Sequence, residues 1–342
     1  MKHLIIGPGS MIIYAFIGAI KYLRDTGQLD DVQEISCSSA GSLIGLFYVF
    51  SKGDVDKLLQ IALDAPLVDL AKPDIKSLFT KFGLIDADRF EKYFVKVIGG
   101  RDLTFKELFD MNPIKLHIPT YDIVMNKTIY MSVDTTPDMK VAHAVRRSMA
   151  VPIIMTPVLS RYIDGSVAEY SPYAPFIGKT DVFEIRFTWE VSPGKTPRTF
   201  FQYLYSVVMA LLSTRDAYLD FPRLDIATSR EFELFNFSMD REQKLQLYKS
   251  GYYQAKQQSE RSLVYCHNNR DSYLEDPKSP ALIYQMCKCD QEPQSEDPRH
   301  LEVDETEQMT NHHESSSQVP PESNQSTFEG TSPETLHSDA DS

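Results

Sequence analysis

An α/β fold with a mostly parallel sheet is predicted by three features of this 342-residue sequence. Short apolar runs that suit buried strands alternate with longer runs at helical spacing. Two of the short runs pass into helices through small residues only, at Gly7-Pro8-Gly9-Ser10 and at Cys37-Ser38-Ser39-Ala40-Gly41. Hydrophobic residues make up 42% of the chain and aromatics 11%, enough for a substantial core.

The elements follow in order. His3 to Ile6 reads as a short buried strand. Met11 to Arg24 reads as a helix apolar almost all round, covered on most sides. A second strand over Val32 to Ile35 leads through the small residues into a buried helix that runs to about Ser51. Asp54 to Leu63 and Arg89 to Val97 have the pattern of surface helices. Thr104-Phe105-Lys106-Glu107 is a capping box, which opens another helix. Ile114 to Val124 and Thr128 to Val133 read as two strands joined by a turn at Asn126-Lys127. Met139 to Met149 is a helix stopped near Pro152, and Arg161 to Ile163 a short strand that ends at Asp164-Gly165. Val182 to Trp189 is a strand, and Thr199 to Ser213 a strongly apolar helix assigned to the core. Glu231 to Phe237 reads as one more strand, and a helix from Asp240 to about Ser262 closes the body.

Residues 1–285 are assigned to one domain and 286–342 to a disordered acidic tail. The net charge of −13 lies in the stretch from Asp290 onward. From Asp290 to Ser342 there are 14 acidic residues and a single basic one, Arg299, which leaves 34 of each sign in the body. The tail is rich in Ser, Pro, Glu, Gln and Thr, and such a composition buries too little to offset chain entropy. A neutral body with an acidic tail argues against nucleic acid as a partner, and leaves the tail to meet a protein partner. Only Leu4-Ile5-Ile6 separates Met1-Lys2-His3 from Gly7, too little for a secretory signal, and no apolar run approaches the roughly 20 residues that span a bilayer. The four cysteines, Cys37, Cys266, Cys287 and Cys289, have neither disulfide-framework nor zinc spacing. A cytoplasmic setting is expected, with only transient contact with membrane surfaces and no metal or cofactor.

The chemistry centres on Ser39. A strand that turns sharply into a helix through small residues is a nucleophile elbow, usually written G-x-S-x-G. A serine hydroxyl is a weak nucleophile, so it must stand clear of the sheet beside a base and a helix N-terminus. Here Gly41 follows Ser39 by two, and Cys37 replaces the first glycine of the pattern. A plain Ser-rich turn before a core helix has the same local look. The loop after the first strand offers backbone amides at a helix start, a place to hold a negative oxygen. It lacks the spacing of a dinucleotide fingerprint and the Gly-Lys pair of a P-loop. Asp164, followed by Gly165 where a buried strand ends, can reach the open end of the sheet. Asp-Gly is also a common simple turn.

Taken together, these stretches resemble the patatin-like phospholipase family over about residues 3 to 265. Smaller matches are Gly18 in the first helix, Arg147-Ser148-Met149-Ala150-Val151-Pro152, and the closing segment Phe235 to Gly251. The resemblance implies a three-layer α/β/α sandwich and a serine lipid acyl hydrolase. In it Ser39 is the nucleophile and Asp164 the base of a two-residue dyad. The amides of Gly9, Ser10 and Met11 form the oxyanion hole, Pro8 having none to give. The implied substrate is a phospholipid or neutral lipid, and the aromatic residues around 200 to 205 are expected to line an acyl channel. The family's loop usually reads G-G-G-x-[KR]-G, whereas this chain has Pro8-Gly9-Ser10-Met11-Ile12-Ile13. Tyr170 stands where the family often has Asn. These departures keep open a second class: a lipid- or partner-binding protein with the same fold and no catalysis. A Ser-His-Asp triad is the rival mechanism. His3, His117 and His143 read as structural histidines, and His267 is the one late candidate.

Overall fold

The computed structural model describes residues 1–189, 196–198, 203, 206, 207, 210, 221–228 and 234–268, with the side chains of 189 and 262–268 excepted. The chain divides after Asp290, and the second unit lies wholly outside the described residues, as does the sequence-predicted tail.

The central sheet is built from β1 (His3–Ile6), β2 (Glu34–Cys37), β4 (Lys115–Asp122), β5 (Lys127–Met131), β7 (Tyr162–Asp164), β8 (Val182–Trp189) and β9 (Arg223–Thr228). Its order is β5-β4-β2-β1-β8-β9, with β7 also on β4. Every pair from β4 across to β9 is parallel, while β5 and β7 lie antiparallel to β4. A separate parallel pair joins β3 (Gly83–Ile85) to β6 (Ile153–Met155).

Parallel strands need crossovers, and helices supply them. They are α1 (Ile13–Asp25), α2 (Ala40–Phe50), α3 (Val55–Leu63), α4 (Leu67–Leu70), α5 (Ile75–Lys81), α6 (Asp88–Val97), α7 (Phe105–Met111), α8 (Val141–Ser148) and α9 (Arg241–Asn268). β1 serves two faces by simple alternation: Leu4 and Ile6 join the main core, and Ile5 packs with Phe176 and Val182 in a smaller one. The sheet is thus buried on both sides, as near-continuous apolar strands require. α1 lies so close to α9 that a Cβ on Gly18 would stand 1.9 Å from the Tyr248 carbonyl oxygen, and one on Gly251 equally close to that of Ala15. Among the described residues no helix is long and apolar enough to cross a membrane.

Most sequence-predicted elements appear within a few residues of their expected bounds, including the capping box at Thr104 and Glu107. One strand is misplaced. Of the strand expected over Glu231 to Phe237, residues 231–233 lie outside the described residues and Leu234 to Phe237 makes turns, while β9 stands earlier in the chain. Leu234, Phe235 and Phe237 are apolar because they line a cavity rather than a sheet. The helix expected over 199–213 lies outside the described residues apart from isolated positions.

Candidate active site

β2 ends at Cys37 and α2 begins at Ala40, so Ser38 and Ser39 must make the whole turn. Ser39 takes φ +52° and ψ −130°, a backbone conformation that side-chain-bearing residues rarely adopt. The surroundings hold it there. Its amide donates to the Ser148 hydroxyl at 3.1 Å. Its carbonyl accepts from the Ser42 amide at 2.9 Å and the Ser42 hydroxyl at 2.5 Å. The elbow also presses on the loop after β1. A Cβ at position 41 would lie 2.5 Å from the Gly7 carbonyl oxygen, so only glycine fits.

Cys37, in the position of the missing glycine, is fully buried, and burial pushes its thiol pKa up, which keeps it an unreactive filler. Its room comes from α2. A Cβ on Gly45 would stand 2.5 Å from the Cys37 sulfur and 2.8 Å from Leu116 Cδ1. The glycine lost at the elbow has a counterpart one helical turn further on.

Asp164 arrives on the other side through β4. Antiparallel pairing sets it opposite Thr120, and its amide donates to the Ala150 carbonyl at 2.9 Å. A Cβ on Gly165 would stand 2.6 Å from the Pro119 carbonyl oxygen, which explains the glycine after the aspartate. The Asp164 Oδ1 atom accepts from the Ser166 amide at 2.9 Å and the Ser166 hydroxyl at 2.8 Å. Burial pushes the carboxyl up to about 6, while the Ser39 hydroxyl and the Ser166 groups draw it back down. The Ser39 hydroxyl is therefore near enough to favour the ionised carboxylate. No bond of ordinary hydrogen-bond geometry yet joins the two, and Oδ2 is buried with no partner among the described residues. Such contacts are often long until substrate is bound.

The loop after β1 separates the three expected oxyanion donors. The amides of Gly9 and Ser10 meet no acceptor among the described residues. That of Met11 donates to the Leu234 carbonyl at 3.1 Å and is withdrawn from the site, a correction to the sequence reading. Ala40 adds a donor that sequence reasoning missed, since it opens α2 and its amide has no helical acceptor. Ser10, Ser39 and Ala40 line a common cavity of ≈ 130 Å³. Its walls are apolar side chains of α1, α2, α3 and α6, among them Ile17, Leu43, Leu58 and Phe94. Of the aromatic residues expected to line a channel around 200 to 205, Tyr203 is exposed and the others lie outside the described residues.

The histidines are engaged elsewhere. His117 Nε2 lies 2.8 Å from Glu34, His3 Nδ1 2.8 Å from the Thr180 carbonyl, and His143 Nδ1 3.1 Å from Glu91. The side chain of His267 is outside the described residues. Among the described residues no group of three or more His, Cys, Asp or Glu is set to hold a metal ion.

A family model for patatin-like phospholipases matches residues 4–177, a span that holds the elbow, the β1 loop and Asp164. The chain belongs to the patatin-like phospholipase family. Uncharacterized protein R571 of Acanthamoeba polyphaga mimivirus is 27% identical over 279 residues, which take in 75% of this chain and 93% of the relative. Probable lipid hydrolase 463L of Invertebrate iridescent virus 6 is 27% identical over 185 residues, 48% of this chain and 60% of its own length. Among solved structures, VipD from Legionella pneumophila overlays with a TM-score of 0.55 at 15% identity, over 75% of this chain and 66% of that one, a likeness of fold.

Within the patatin-like frame the departure at Tyr170 now has a structural account. Next to Gly165, Ser166 binds Asp164 twice. Tyr170 lines the cavity and donates its hydroxyl to the Phe187 carbonyl at 2.9 Å. Ser166 is a supporting residue that the sequence left unmarked, and Ser148, though inside the family-like stretch 147–152, shows no role there. Nothing in their spacing announces them, because each meets its partner only after folding.

Proposed function

We propose that the protein is a serine lipid acyl hydrolase that cleaves fatty acyl esters through a Ser39–Asp164 dyad. One juxtaposition carries this reading. A serine in a strained elbow faces a buried carboxylate with an open oxygen, at the wall of an apolar cavity. The Ser39 hydroxyl gives its proton to Asp164 as its oxygen attacks the ester carbonyl. The oxyanion that forms accepts hydrogen bonds from the amides of Gly9, Ser10 and Ala40. Collapse breaks the ester bond, and the leaving alcohol takes the proton from Asp164. Water then gives a proton to Asp164 as it attacks the acyl-serine, and collapse breaks the acyl–Ser39 bond, frees the fatty acid and returns that proton from Asp164 to the Ser39 oxygen. The cavity takes the acyl chain out of water during both halves. None of these steps draws on a metal or a cofactor.

A second reading, lipid binding without turnover, is favoured by the loss of the Met11 amide to Leu234 and the absence of one at Pro8. Loss of one oxyanion donor lowers kcat by roughly 10²- to 10³-fold, which slows an enzyme without silencing it. A fluorophosphonate serine probe separates the readings. Labelling mapped to Ser39, together with fatty acid release from phospholipid vesicles that a chelator leaves unchanged, is the expected result. Absence of both labelling and release would leave only the binding reading.

A further inference from the structure

The segment from Pro66 to Phe82 carries an amphipathic pattern turned outwards. Ile75, Phe79 and Phe82 recur at i, i+4 and i+7, a spacing that normally buries one face of a helix. On α5 this face is open, with Ile75 67% and Phe79 76% exposed, and Phe82, the left-handed residue that ends the helix, is 58% exposed beside it. The inward positions are held instead by buried Ser77 and half-buried Leu78. Val68, on α4, is a further 64% exposed. An apolar stripe that faces water over several large side chains marks an interaction surface.

Two observations identify what covers it. The first is continuity with the cavity. Leu67 and Leu70, on either side of Val68, line the same cavity as Ser39. One short segment therefore forms cavity wall with one side and the apolar patch with the other. The second is charge. Lys72 and Lys76 are exposed among the apolar residues and make no ion pair among the described residues. The acids of the segment are Asp74, which caps α5 through the Lys76 amide at 2.9 Å, and exposed Asp69 on α4, and neither pairs with Lys72 or Lys76. Apolar side chains interspersed with free lysines match a lipid surface, with acyl chains below and anionic headgroups above. Four side chains fall short of the roughly 800 Å² per partner that a stable protein interface buries.

We infer that α4 and α5 form the membrane-docking face of this protein. Ile75, Phe79, Phe82 and Val68 enter the headgroup region, and Lys72 and Lys76 meet anionic lipid. The inference rests on the lipid-hydrolase reading for its purpose, since docking would set the wall of the cavity directly against the lipid that fills it.

The test uses the full chain and vesicles of phosphatidylcholine and phosphatidylserine in a four-to-one ratio. Ile75→Asp combined with Phe79→Asp should weaken cosedimentation by roughly tenfold or more, since each buried apolar side chain contributes on the order of one such factor. The same variant should lose hydrolysis of vesicle phospholipid and keep hydrolysis of a short soluble ester. Phe79→Trp keeps the surface apolar, and its emission should shift to the blue with vesicles and be quenched by brominated acyl chains. Its reference is the unmodified chain, whose sole tryptophan is Trp189. Ser39→Ala should bind vesicles like the wild type. If the wild type hydrolyses the soluble ester but the double variant binds vesicles undiminished and the indole introduced by Phe79→Trp stays unquenched, the docking face is wrong. A wild-type dimer that the double variant breaks to monomer would overturn it in favour of self-association. If no ester is cleaved by any form while binding still depends on Ile75 and Phe79, the hydrolase reading fails and the docking face stands.

Discussion

Asp164 is asked to be both buried and basic. Its burial raises the carboxyl to about 6, and a base must be ionised to take the Ser39 proton. Hydrolysis of a soluble ester should therefore fall as the pH drops through about 6, following a single ionisation in kcat/KM. The same shift has a stability consequence of fixed sign. The folded-state value lies above the ordinary 3.8, so between the two the native chain holds the proton that the unfolded chain has lost. The resulting stabilisation is fully present below about 4 and is lost as pH rises through about 6. Asp164→Asn removes this ionisation, so at pH 7 it should raise stability by roughly 1–3 kcal/mol while abolishing turnover. Denaturant titrations of both proteins at pH 4 and pH 7 check this, with the gap expected to close at the lower pH. Ser39→Ala should abolish hydrolysis equally, and the double variant should be little worse than either, as the proposed dyad acting as one unit requires. Ile12 limits what can be repaired nearby. It is fully buried, so a lysine there, as in the family's loop, would bury a charge and unfold the protein before it improved the oxyanion hole.

At the scale of elements, the elbow depends on β2 and α2 together. Cys37 occupies a glycine position because Gly45 clears the space beside it. Gly45→Ala would drive a methyl group into the Cys37 sulfur and Leu116, and overpacking of this kind costs about 1–3 kcal/mol. Cys37→Ala in the same chain should recover part of that loss. A double-mutant cycle on unfolding free energies measures the coupling, and additive effects would show that the two positions are independent. Because the Ser39 amide is anchored on Ser148, a strained α2 should also lower the rate of probe labelling at Ser39.

For the whole molecule, charge is distributed unevenly. The acidic stretch from Asp290 onward carries a charge of −13, and the body before it is neutral. The chain divides at that point. A truncation after Asp290 should keep the melting temperature and the hydrolysis of a soluble ester, because every described residue that lines the cavity or touches Ser39 or Asp164 lies before Gly251. A drop of several degrees in Tm, or loss of the activity, would show that the tail docks on the body. Binding of the truncated form to anionic vesicles should equal or exceed that of the full chain, since the acidic stretch repels the same surface.

The sequence by itself determined the alternation that makes an α/β fold, the elbow at Ser39, the aspartate at a strand end, and the order of both. These are local properties: turn residues, caps and apolar periodicity act within a few positions of one another. It did not determine β3 and β6, strands of three residues whose pairing carries no periodic signal. It misread Leu234 to Phe237 because an apolar run looks the same whether it faces a sheet or lines a cavity. Which oxyanion amides remain free was also beyond it. The Met11 donor is lost to a carbonyl more than two hundred positions away. The pKa of Asp164, the fit of Cys37 against Gly45 and the outward face of α5 belong to the same class. Each is set by which distant atoms end up as neighbours, and only tertiary packing chooses those.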